Sequence, residues 1–182
     1  TTSHDFHVFV VDSSNQFSDF SVLEKWKKTE LPMSVIYFGE QKPLSEAYNI
    51  LLKEAKHYTP DYVVFFSSDD YFGEPNRLDF QIRHMESHPD ADVCFCDYDV
   101  YLDGKFKRRD TEHTSIITCM WKWDKIKDSS FSGEVMEDVD FMERHKHLTW
   151  SKITEDLGVV WFVHSGNSKM MRYKSIGKFR RG

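Results

Sequence analysis

Short apolar runs rich in Val, Ile, Phe and Tyr recur along this chain, with helix-spaced stretches between several of them. Phe6 to Val11 (FHVFVV) stops at Asp12-Ser13-Ser14-Asn15, residues suited to turns and helix caps. Leu23 to Lys28 reads as a short polar helix ended by Pro32, and Met33 to Phe38 as a second strand. After Pro43, residues Leu44, Ala47, Tyr48, Leu51, Leu52 and Ala55 recur at the spacing of one helical face. Tyr62 to Phe66 (YVVFF) is wholly apolar and breaks off at Ser67-Ser68-Asp69-Asp70. Pro75 opens a helix with Leu78, Ile82 and Met85 on one face, closed by His88-Pro89. Val93 to Cys96 is a fourth strand, and Asp103-Gly104 turns a hairpin between Val100–Leu102 and Phe106. Later come a strand at Ser115 to Met120, a helix at Glu137 to His147 and a buried strand at Val159 to Val163. Strands alternating with amphipathic helices predict the α/β class, with a mainly parallel central sheet flanked by helices.

A length of 182 residues fits one domain. Five Trp, eight Tyr and 15 Phe supply enough apolar surface for a sizeable core and exclude global disorder. The net charge of −6 is not that of a domain built to coat a nucleic-acid backbone. No run approaches the roughly 18 apolar residues of a membrane span, and no signal peptide is recognisable. Cys94, Cys96 and Cys119 are too few for a disulfide framework and read as the buried, reduced thiols of a cytoplasmic protein. Cys94 and Cys96 are expected on opposite faces of their strand, unable to bridge.

Ligands of open parallel sheets bind beyond the carboxyl ends of the strands. Acids stand at that edge here: Asp12, then Asp69-Asp70, then Asp97 and Asp99. Neighbouring carboxylates suit a hard divalent cation such as Mg2+ or Mn2+, and equally suit helix caps or solvated positions. The absence of any G-x-G removes the dinucleotide fingerprint and the Walker loop, and the absence of G-x-S-x-G disfavours a nucleophile-elbow hydrolase. Glu143 to His147 (ERHKH) is not H-E-x-x-H, and its two His point apart on a helix.

The order of these segments resembles the family 2 glycosyltransferases. The segments are VVDSSN (Val10 to Asn15), PLSEAYN (Pro43 to Asn49), FFSSDDYFGEPNRLDFQ (Phe65 to Gln81), MEDVDFMER (Met136 to Arg144) and WFVHSGNS (Trp161 to Ser168). The resemblance implies the GT-A fold over a single domain, residues 1–182, and a nucleotide-sugar donor, with UDP as the nucleotide. Two departures stand out. The family's first apolar strand would precede Thr1 and is expected to be absent, and the usual Asp-x-Asp-Asp reads Ser67-Ser68-Asp69-Asp70.

Roles follow from the resemblance residue by residue. Asp12 binds the base of the nucleotide, Asp69 the ribose, and Asp70 a Mn2+ or Mg2+ ion whose shell His164 completes. Asp138 is the general base of an inverting transfer, with Glu137 orienting the acceptor and Asp140 the poorer candidate. Lys169 and Arg172 lie in a flexible basic tail, about residues 165–182, that clamps the diphosphate. Trp121 and Trp123 offer a platform for an acceptor sugar. The acceptor itself is open: a saccharide, a lipid, a protein or a modified nucleic-acid base. A degenerate GT-A domain that binds a partner without turnover is the alternative.

Overall fold

The computed structural model describes residues 4–12, 28, 32–67, 70–71, 73–112, 114–133 and 136–163. In chain order its first elements are β1 (Val8–Asp12), β2 (Met33–Tyr37), α1 (Leu44–Ala55), β3 (Tyr62–Val64), α2 (Arg77–Ser87) and β4 (Val93–Cys96). There follow β5 (Tyr98–Leu102), β6 (Lys105–Asp110), a 3-10 turn (Ile116–Thr118), β7 (Met120–Lys122), α3 (Trp123–Ile126), α4 (Glu137–Arg144), β8 (Trp150–Ile153) and β9 (Val159–Val163). The α/β class is as expected. These elements fall into two compact units, one from Thr2–Asp61 and Trp123–His145, the other from Tyr62–Lys122 and Lys146–Gly182.

In the first unit β1 and β2 pair in parallel, from Val8 opposite Met33 to Asp12 opposite Tyr37. The ladder continues past both ends, with Val8 N–H donating to Pro32 O at 2.9 Å and Phe38 N–H to Asp12 O at 3.1 Å. Helix α1 lies on β1 and buries Ala47, Tyr48, Leu52 and Ala55 of the face its sequence period predicts, while Leu51 is half-buried and Leu44, in the first turn, is exposed. Helix α4 stops at Arg144 rather than His147. Of the predicted polar helix only Lys28 is among the described residues.

The second unit holds two sheets, in the strand orders β3-β7-β4-β8 and β6-β5-β9. Among the described residues β1–β2, β4–β8 and β5–β9 are parallel, whereas β3–β7, β4–β7 and β5–β6 are antiparallel. Pairing is therefore more mixed than the mainly parallel sheet expected. The β5–β6 hairpin turns at Asp103 (φ 49°) and Gly104 (φ 74°), and β7 then enters between β3 and β4 running against both. The strand expected over Ser115–Met120 is a 3-10 turn, and β7 begins at Met120.

Helix α2 turns inward a face the apolar pattern did not predict. Arg77, Gln81 and Met85 are buried, while Leu78 and Ile82 are half-buried. Arg77 donates from its Nη2 to Ile117 O and from Nε to Gln81 Oε1 at 3.1 Å, and Gln81 Nε2 donates to Thr118 O at 3.1 Å. Polar side chains win these sites because buried carbonyls of the 3-10 turn need donors. Burial holds the Arg77 guanidinium below its usual pKa.

All three cysteines are free and buried. The expectation of opposite faces fails for Cys94 and Cys96, since residues two apart on a strand share a face. Their thiols both point into this layer, Cys94 Sγ toward Gln81 O and Cys96 Sγ toward Thr118 O, each at 3.9 Å.

Candidate active site

The strand-end acid of the first unit is where the sequence predicts it. Asp12 closes β1 at the carboxyl end of a parallel pair, half-buried, with its carbonyl taken by Phe38 N–H. The same unit carries the Glu-Asp pair. Asn49, the last residue of α1's motif, grips the backbone of Phe131 in both directions. Its Nδ2 donates to Phe131 O at 2.9 Å, and Phe131 N–H donates to its Oδ1 at 2.7 Å. The Phe131 ring lies between Tyr48 (4.6 Å) and Phe141 (4.1 Å, nearly parallel). His145 continues the stack at 4.3 Å from Phe141, donating from Nδ1 to Phe141 O at 2.7 Å while Nε2 accepts from the Ser129 hydroxyl at 2.7 Å.

These contacts fix α4 at both ends of the aromatic column. Met136 enters the helix with φ 65°, a left-handed conformation uncommon for a side chain of its size. Beyond it Glu137 is almost fully buried and Asp138 half-buried in the first turn, where the helix dipole favours acids. Asp140 is committed elsewhere. It accepts from Ser132 Oγ at 2.7 Å and from Arg144 Nε at 3.1 Å, and Arg144 reaches on to Ser130 O at 2.6 Å. The Ser132 hydrogen bond, then the Arg144 charge, holds the Asp140 carboxyl below the usual carboxylate range.

The second unit carries the acid loop after β3. Asp70 N–H donates to Ser67 O at 3.3 Å, and Asp70 Oδ1 accepts from Phe162 N–H at 3.0 Å. Tyr71 forms an antiparallel bridge with Val160, and Glu74 N–H donates to Leu157 O at 2.8 Å. The loop is thus zipped along β9. Gly73 (φ 100°) makes this possible, since a Cβ there would lie 2.1 Å from Leu157 O. Asp69, His164, Lys169 and Arg172 lie outside the described residues. Among the described residues no group of three or more His, Cys, Asp or Glu is arranged to hold a metal ion. A carboxylate oriented by a backbone amide, as in Asp70, fits the oxygen-ligand chemistry of Mg2+ or Mn2+.

Three placements change the sequence picture. Asp97 and Asp99 are not poised for a cation, because Lys152 Nζ lies 2.7 Å from Asp97 and Arg109 Nη1 3.5 Å from Asp99. Arg109 also binds Asp156 at 2.8 Å, and this bond is the main cause of the lowered Asp156 pKa. Trp121 is fully buried in β7, edge-on to Trp150 at 5.1 Å, and Trp123 is 7% exposed. Their rings fill cores and have no open face for a sugar. Asn49, Gly73 and Met136 all stand inside the family-like segments, but nothing in the local sequence assigns them these roles.

Residues 2–158 match the family model described as Glycosyl transferase family 2. Among solved chains the fold is similar to the crystal structure of S. aureus TarS 1-349, with a TM-score of 0.68 and 19% identity. That likeness covers 86% of this chain and 51% of the other, so this chain spans about half the length of the one it matches. No curated protein matches the sequence significantly.

Proposed function

This chain belongs to glycosyl transferase family 2, and we propose that it transfers a sugar from a nucleotide-diphosphate donor, a UDP-sugar, to an acceptor hydroxyl with inversion. The family match over residues 2–158 carries the reading. The acid-bearing segments in family order support it.

In this reading Asp12 accepts a hydrogen bond from the base, Asp69 holds the ribose, and Lys169 and Arg172 neutralise the diphosphate. Asp70 and His164 hold Mn2+ or Mg2+, which when bound supplies Lewis-acid stabilisation of charge on the leaving diphosphate. Asp138 takes the proton of the acceptor hydroxyl as its oxygen bonds to the anomeric carbon and the carbon–oxygen bond to the diphosphate breaks. Glu137, buried beside it, orients the acceptor, which is a saccharide, lipid, protein or modified nucleic-acid base. Buried free thiols support a reducing, cytoplasmic setting, and no described helix is long and apolar enough to cross a membrane.

Thermal denaturation with UDP, GDP or ADP, each with and without Mn2+, tests this. Stabilisation by one nucleotide that depends on the metal is expected, because only a ligand of the folded state raises the midpoint. Stabilisation by none of them would overturn the reading in favour of a domain that binds a partner without turnover.

A further inference from the structure

With Trp121 and Trp123 buried, the aromatic surface beside the acid loop belongs to other residues. Phe66 precedes the loop and is 43% exposed; Tyr71 follows Asp70 directly and is 54% exposed. Tyr71 is not on a loose segment. Its N–H donates to Val160 O at 3.0 Å, its carbonyl accepts from Val160 N–H at 3.2 Å, and the carboxylate before it is tied to Phe162. Among the described residues its ring stacks on no other ring and its hydroxyl makes no hydrogen bond. A large aromatic surface is therefore held in water by a backbone fixed on both sides, one residue from the carboxylate assigned to the diphosphate.

We propose that the Tyr71 ring is the platform for the sugar of the donor, packing its face against the C–H face of the pyranose. The proposal rests on the glycosyltransferase reading and adds a specificity residue to it. The location favours the sugar over the base. The sugar is bonded to the diphosphate that Asp70 serves, whereas the base lies a ribose further away. An aromatic face also suits a sugar because ring C–H groups are the apolar, weakly positive part of its surface.

Calorimetric titration with Mn2+ present, using UDP, UDP-glucose, UDP-galactose and UDP-N-acetylglucosamine, tests the assignment on the wild type, Tyr71→Ala and Tyr71→Phe. The expected result is that Tyr71→Ala weakens the preferred UDP-sugar by about five- to tenfold, the size of one aromatic contact. UDP alone should bind within about twofold of wild type, and Tyr71→Phe should restore the sugar affinity. Equal weakening of UDP and UDP-sugar, or no change in either, would overturn the proposal while leaving the glycosyltransferase reading intact. Failure of the wild type to bind any nucleotide would overturn both. Unchanged circular dichroism confirms that the exposed substitution leaves the fold in place.

Discussion

The Asn49 carboxamide satisfies both backbone groups of Phe131, donating at 2.9 Å and accepting at 2.7 Å. A helix residue thereby stands in for a strand partner on the segment leading to the Glu137-Asp138 turn. Asn49→Ala leaves a partly buried N–H and C=O without that partner, and should lower unfolding free energy by about 2–4 kcal/mol in urea titration. A loss under about 0.5 kcal/mol would show that water replaces the clamp.

Gly73 and Gly104 both have positive φ, yet they predict opposite outcomes. A Cβ at Gly104 meets nothing within 4 Å, whereas at Gly73 it lies 2.1 Å from Leu157 O. Gly104→Ala should cost only the left-handed backbone penalty, about 1–2 kcal/mol. Gly73→Ala must in addition push the acid loop off β9 and should depress the melting temperature markedly further. Equal shifts for the two variants would refute the zipped loop.

The buried thiols should be chemically silent in the folded protein. Burial pushes Cys94 up to about 12 and Cys96 to about 11, and raises Cys119 as well. At pH 8 almost no thiolate exists at any of them. Ellman's reagent should therefore titrate essentially none in buffer and all three in guanidinium chloride.

His84 makes stability depend on mild acid. Its Nε2 is 2.8 Å from Ser151 Oγ, and its ring stacks on His88 at 4.2 Å. Burial, and then the neighbouring His88 charge, lower its pKa below 6.5. The unfolded chain thus binds the proton more readily, so this contribution is complete above about pH 6.5 and is lost as pH falls through the lower folded value. His84→Gln should flatten the stability profile between about pH 7 and 5 in thermal denaturation. An unchanged slope would remove His84 as the source.

Asp138→Asn keeps the shape of the first turn of α4 and removes only basicity. Transfer should fall by about 10²- to 10⁴-fold, the range of a lost general base, while UDP-dependent stabilisation is retained. Transfer at the wild-type rate would exclude Asp138 as the base. Asp140 is a poor substitute, because Ser132 and Arg144 already hold its carboxylate.

The long-period elements were legible from pattern alone. α1 buries four of the six residues its spacing named, leaving Leu44 exposed and Leu51 half-buried, and β1, β2, β4 and β9 lie where apolar runs stood. β7 (MWK) and β8 (WSKI) do not stand out as strands because each mixes apolar with polar residues, whereas the equally short β3 (YVV) and β4 (VCFC) are unbroken apolar runs. Arg77 and Gln81 were hidden for a different reason: their burial answers carbonyls at Ile117 and Thr118, which no local pattern encodes. Asn49 was visible inside its motif, but its partner lies 82 residues away. The two tryptophans were misjudged because an aromatic residue reads alike in a core and at a sugar site until its exposure is known.

Each unit is drawn from two separated stretches, so the order of synthesis constrains assembly. β3 receives β7 as its neighbour only once residue 122 has been made, and Asn49 must wait for Phe131. β5 gains its second partner last, when β9 emerges. A nascent chain arrested inside Tyr62–Lys122 therefore holds neither unit complete, and ribosome-bound intermediates should stay protease-sensitive until the C-terminal strands arrive.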